Sequence, residues 1–191
     1  MEAYLASLAG GLEAHPECLG KGSIARSVLA KFPIDKLPKL PGPVQALVDS
    51  PPPSSLWIPE VHANALFLAI CDAQFPDDES YLAFSLDFNR ALLRSALYRI
   101  VMFVASPTQL LKTAGMQWNA LHRGSTMNAS LLVTGNAVSQ LNYPIALFPP
   151  LMVRSFATAQ RAVVEGSGGK DVVVELRGHT ATRAEFDVRW K

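Results

Sequence analysis

The chain closes on a strict alternation. Between Thr180 and Trp190, residues Thr182, Ala184, Phe186, Val188 and Trp190 fall on one side, and Arg183, Glu185, Asp187 and Arg189 on the other. A period of two predicts a half-buried β-strand with a wet face. Val172 to Leu176 is its partner, with a turn around Gly178-His179. A second hairpin is predicted from 126–133 and 137–143, both rich in β-favouring residues, around Gly135-Asn136.

Elsewhere the apolar period is helical. Lys21 to Phe32 reads as a helix with Ser23 as its cap, Ile24, Val28 and Leu29 on its apolar face, and Pro33 at its end. From Trp57 to Cys71, Val61, Ala65, Leu66, Leu68 and Ala69 cover most of a helix surface, which predicts burial on nearly all sides. Pro76-Asp-Asp-Glu-Ser80 places acids at the positive end of a new helix. That helix, Ser80 to Ala105, is the expected spine. Leu82, Leu86, Leu93, Leu97, Ile100 and Val104 form its stripe, Phe84 and Phe88 widen it, and Asp87, Arg90 and Arg94 mark the polar side. Ser106-Pro107 starts a further helix running to about Trp118. After the Phe148-Pro149-Pro150 break, Leu151, Ser155, Phe156, Ala159 and Val163 share a face of another, within 144–164.

Seven prolines between Pro33 and Pro53 forbid a long helix there, leaving a proline-rich loop region over 33–56 with one short helix, Val44 to Asp49, behind Pro43. Residues 1–20 read as short apolar turns and glycines, forming one helical turn or two. The expected architecture is therefore α+β: several helices around a long central helix, packed on a small antiparallel sheet made of two hairpins, in a single domain over 1–191.

Composition sharpens this picture. Of 191 residues, 49% are apolar and 17% charged, enough for a core with apolar surface left for a partner or second copy. Seventeen basic and sixteen acidic residues leave a net charge of +1, with no basic excess to drive nucleic-acid binding. Two cysteines, Cys18 and Cys71, make no disulfide framework and suit a reduced, cytoplasmic protein. No run is apolar enough to span a bilayer; Leu92 to Ala105 is broken by Arg94 and Arg99. The first ten residues lack the basic start and apolar run of a signal peptide.

Candidate chemistry is sparse. The four histidines (15, 62, 122 and 179) share no metal-like spacing with each other or with a cysteine, and no Gly-x-Ser-x-Gly elbow occurs. Gly166-Ser-Gly-Gly169 lacks the Gly-Lys-Ser/Thr ending of a phosphate loop and follows a helix, where a phosphate loop follows a strand. No catalytic residue and no metal ligand is assigned. The aromatics, among them Trp57, Phe84, Phe88, Tyr98, Phe103, Trp118, Phe148 and Phe156, are spread over the helices as in an ordinary core. A sharper reading puts an apolar pocket between the spine helix and the sheet. Trp57, Phe88, Met102 and Trp118 would line it, and Tyr98 and Arg99 would supply polar contacts.

Lys21-Gly-Ser-Ile-Ala-Arg26, Trp57-Ile-Pro59, Tyr98-Arg99, Ser106-Pro107 with Leu110 and Leu111, Trp118, and Phe186-x-Val188-x-Trp190 together resemble a family of unknown function known mainly from myxobacteria. Its layout is similar to the superfamily of haem-NO-binding, vinyl-4-reductase and TRAPP-subunit domains. The resemblance implies an α+β ligand-binding or assembly module, often dimeric. Two departures matter. No cysteine stands between Gly178 and Arg183, where the relatives usually carry one, and the Tyr-x-Ser-x-Arg motif of the haem branch is missing. The expectation is a non-enzymatic regulatory or sensor-like domain, without a cofactor, that binds a small apolar ligand or a protein partner and forms a homodimer. The alternatives are an assembly module acting through a helical dimer interface, and a haem or other cofactor protein using His62 or His122.

Overall fold

The terminal strand lies inside a four-stranded antiparallel sheet. We describe a computed structural model that covers residues 1–32, 37–94 and 106–191. The strands are β4 Thr126–Val133, β5 Asn136–Asn142, β6 Val173–His179 and β7 Arg183–Arg189, in the order β4-β5-β7-β6. Both expected hairpins are present, joined where β5 pairs with β7. Ser139 stands opposite Phe186 and Leu141 opposite Ala184. Ala137, Leu141, Ala184, Phe186 and Val188 are fully buried on one face. The other face carries ion pairs such as Arg189–Glu175 at 2.6 Å. Gly135 has φ +83° in the first hairpin turn, and a Cβ there would lie 2.6 Å from the Trp190 carbonyl oxygen, so only glycine fits. The second turn lies at residues 180–182, later than expected. A register shift between Leu176 and Gly178 absorbs Gly178 into β6, and His179 ends that strand.

Helix α8, Pro150–Gly166, packs against this sheet, and α5, Asp78–Leu93, packs along α8. Asp77 caps α5 by accepting the Ser80 amide at 2.8 Å. Three polar ties hold α5 to α8. The Arg90 guanidinium donates twice to Glu165, at 2.7 and 2.9 Å; Arg154 pairs with Asp78 at 3.0 Å; and the Ser85 and Thr158 hydroxyls meet at 2.8 Å. The spine turns a different face inward than the leucine stripe predicts. Tyr81, Phe84, Ser85, Phe88, Asn89 and Leu92 line the interior and Leu82, Leu86 and Leu93 do not; of all these only Ser85 is fully buried, and the rest are half-buried. The second half of the expected spine, 95–105, falls outside the described residues.

Helix α4, Glu60–Gln74, is buried nearly all round, as its sequence predicts. It joins two cores. One contains Phe186, Leu141, Leu147 and Phe148 beneath the sheet, with Tyr4 and Leu8 from the N-terminal segment. The other contains Ala25 and Leu29 of α2 (Gly22–Leu29), Val44 and Val48 of α3 (Gly42–Asp49), and Leu66 and Ile70 of α4. The first twenty residues form the short helical turns expected of them. Helix α1, Glu2–Ser7, buries Tyr4, and a single 3₁₀ turn spans Gly11–Glu13.

Three local expectations are corrected. Lys21, not Ser23, occupies the cap position of α2, with no side-chain bond. The helix from Ser106 is split at Thr113 into α6, Pro107–Lys112, and α7, Ala114–Asn119; the Ser106 cap and Pro107 at the first position are as expected, and Gln109 completes a capping box. Trp57-Ile-Pro59 is a strand, not a helix start. It is β2 of a second, three-stranded sheet in the order β2-β1-β3, with β1 Leu19–Lys21 and β3 His122–Arg123. The fold is α+β: eight α-helices among the described residues, with two small antiparallel sheets.

Candidate functional site

Between the two sheets and the helices lies a cavity of about 280 Å³. Ile24, Ala25 and Val28 of α2 form one wall, and Ala63, Phe67 and Ile70 of α4 another. Phe84, Phe88 and Leu92 of α5 face Phe156, Ala159 and Val163 of α8 across it. The face of α8 expected to be apolar is therefore the one turned to the cavity.

A few polar groups interrupt this lining. At one end His122 and Glu60 meet, Nδ1 to Oε2 at 3.0 Å, with side chains 9% and 4% exposed. Gly20 of the central strand β1 pairs with His122 across the sheet, and a Cβ there would stand 3.0 Å from the same Glu60 oxygen. The missing side chain is what lets the carboxylate reach the histidine. The His122 ring lies flat on Trp118, with centroids 3.9 Å apart, and Trp118 Nε1 donates to Ser125 Oγ at 3.0 Å. Asn64 of α4 donates to the Leu147 carbonyl at 3.0 Å, and Tyr4 donates its hydroxyl to the same oxygen at 2.7 Å. On the sheet side, Ser139 of β5 meets Gln160 of α8 at 2.5 Å.

Burial shifts the acid groups around this site. It pushes the Tyr81 hydroxyl, on the cavity wall, well above its ordinary range, and the Tyr4 hydroxyl likewise. Burial pushes the Cys18 thiol, which lies against Gly124, up to about 12, with Glu17 adding to the effect. Cys71 is also raised to about 12 by burial, and both cysteines are free. Among the described residues no group of three His, Cys, Asp or Glu side chains could hold a metal ion. His62 stands away from the cavity; burial lowers its pKa, and it bonds the Leu12 backbone.

Of the residues expected to form a pocket, Phe88 and Trp118 line the same cavity. Trp57 does not. Its ring lies under the Lys21 ammonium at 4.2 Å and the Arg123 guanidinium at 4.0 Å. Tyr98, Arg99 and Met102 fall outside the described residues. Sequence reasoning missed Glu60, Asn64, Ser139 and Gln160. For two of them a signal existed: Ser139 interrupts the inward series Ala137, Ser139, Leu141, and Gln160 sits on the apolar face of α8 beside Ala159 and Val163. A polar residue at an inward position is the informative kind.

No family model matches the chain, and no curated protein sequence matches it. Its likeness is to solved structures. An oxygen-binding H-NOX domain related to soluble guanylate cyclases superposes with a TM-score of 0.61 at 8% identity, over 89% of this chain and 92% of that domain. An H-NOX protein from S. oneidensis in the Fe(II)NO ligation state gives 0.60 at 13% identity, over 90% and 99%. A T. tengcongensis H-NOX mutant gives 0.59 at 9%, over 89% and 95%. At these identities the likeness shows the fold. Of the layouts named in the family resemblance, it is the fold of the haem-NO-binding domains that these structures share.

H-NOX domains are studied as haem proteins, but the described residues lining this cavity do not fit a haem. His122 is the one histidine among the described lining residues; Glu60 holds its Nδ1 and Trp118 covers a ring face. Lys21 is the one lysine or arginine among them, and its ammonium lies over Trp57, so the two haem carboxylates find no described partner.

Proposed function

We propose that this chain is a non-enzymatic, sensor-like domain that binds a small, largely apolar molecule in the cavity between α2, α4, α5, α8 and the sheets. The observation that carries the reading is the cavity itself: an apolar lining interrupted by a few polar side chains, inside a fold shared with ligand-binding H-NOX domains. Binding in such a site is driven by apolar area removed from water, and the polar groups select orientation. Signalling would follow if the ligand bound one arrangement of α5 and α8 better than another, since a ligand shifts an equilibrium only by its differential affinity.

Titration with the neutral fluorophore N-phenyl-1-naphthylamine tests this. A saturable rise in emission that is lost in Ala159→Phe, a variant that fills the cavity, supports the reading. No saturable binding, or a Soret band on adding haem, contradicts it.

A homodimer is the second reading. Leu132 and Val133, 59% and 65% exposed at the end of edge strand β4, favour it. A light-scattering dilution series that shows a strict monomer at micromolar concentration removes it.

A further inference from the structure

Gln160 has a buried amide nitrogen, Nε2, with no hydrogen-bond partner. Its oxygen is already used. The Ser139 hydroxyl donates to Gln160 Oε1, so the glutamine oxygen accepts and the NH₂ is left over. Both side chains line the cavity, and Ser139 is 1% exposed.

The other amides on the cavity wall are satisfied. Asn64 Nδ2 donates to the Leu147 carbonyl at 3.0 Å, Asn89 Nδ2 to the Ser85 carbonyl at 2.8 Å, and Gln117 Nε2 to the Leu110 carbonyl at 3.1 Å. Gln160 is the exception among the described lining residues. Buried donors are nearly always paired, so a spare one against a cavity calls for an acceptor from outside the chain.

Resting on the ligand-binding reading above, we infer that the cavity selects an uncharged, apolar molecule bearing a carbonyl or similar hydrogen-bond acceptor, which takes the free N–H of Gln160. Charge decides the first word. Among the described lining residues the ionisable groups other than Tyr81 are Lys21, Glu60 and His122; Glu60 is paired with His122, and the Lys21 ammonium stands over Trp57. A carboxylate entering here would lose its water with no described cation to meet it, whereas a ketone or ester loses little and gains the amide.

The test is displacement of N-phenyl-1-naphthylamine by 2-nonanone, nonane and nonanoate at pH 8, in wild type and in Gln160→Met, a variant of similar length without the donor. Wild type should bind 2-nonanone at least as tightly as nonane, and nonanoate at least about tenfold more weakly than the ketone. Gln160→Met should weaken 2-nonanone about tenfold, a typical effect of one buried hydrogen bond, and leave nonane unchanged. The unchanged nonane value reports an intact cavity. If the variant does not fold, the wild-type ranking decides. Nonane tenfold tighter than the ketone in wild type, or nonanoate tighter than both, overturns the inference and leaves the ligand-binding reading standing. Failure of every probe to bind overturns that reading and the inference with it.

Discussion

Glu60 and His122 are 62 residues apart in the chain and 3.0 Å apart in space. Their pairing depends on Gly20 and on a turn that starts α4 directly after β2. Both side chains are almost wholly buried, so removing one strands the other. Glu60→Ala should cost about 1–3 kcal/mol in urea denaturation, because it leaves the His122 N–H without its acceptor. Glu60→Gln keeps an acceptor oxygen and should cost less; equal losses would show that the bond is not what matters. The two cysteines offer an independent check. With thiols raised from 9 to about 12, roughly a thousandfold less thiolate exists at pH 8 than in the unfolded chain. Native protein should react with a disulfide reagent orders of magnitude more slowly than protein in denaturant. Fast labelling of either cysteine in the native state would contradict the burial described.

At the scale of elements, α5 and α8 line the cavity together, and Glu165 fastens the pair through Arg90. Hydrogen bonds from Arg90 first, and from Arg161 second, hold its carboxyl below the usual carboxylate range. A carboxyl with a depressed folded pKa contributes stability that is complete above its unfolded value, near pH 4.3, and is lost as pH falls through the folded value. Glu165→Gln should therefore flatten the loss of stability below about pH 4.3, and at neutral pH cost about 1 kcal/mol, since the group is partly exposed. Urea midpoints between pH 2.5 and 7 read both effects. The terminal strand should be far less tolerant: Phe186 is fully buried, and Phe186→Ala should cost about 3–5 kcal/mol. That strand was legible because its alternation runs unbroken from Thr182 to Trp190. The α4 burial was legible for a similar reason. The second sheet was not, since strands of two or three residues carry no period, and Trp57-Ile-Pro59 looks equally like the start of the helix that follows. The spine was misoriented because its inward face carries Ser85 and Asn89. Ser85 is satisfied by Thr158 of α8 and Asn89 by the Ser85 carbonyl one turn back, and a count of leucines cannot see that. The cavity was half legible: its aromatic wall showed in the sequence, while its polar groups depend on pairings across 62 residues, for Glu60 with His122, or 21, for Ser139 with Gln160.

For the whole molecule, the shared fold and the local chemistry give different information. The chain superposes on H-NOX domains over about nine-tenths of its length, yet its cavity lacks the described partners that a haem needs. Among the described residues no helix is long and apolar enough to cross a membrane. The measurement that bears most directly on this account is native mass spectrometry of the protein purified from its own host. The account predicts a bound organic molecule without iron, uncharged in solution and released on unfolding. Protein that carries haem, or that carries nothing and takes up none of the neutral apolar probes afterwards, would contradict it.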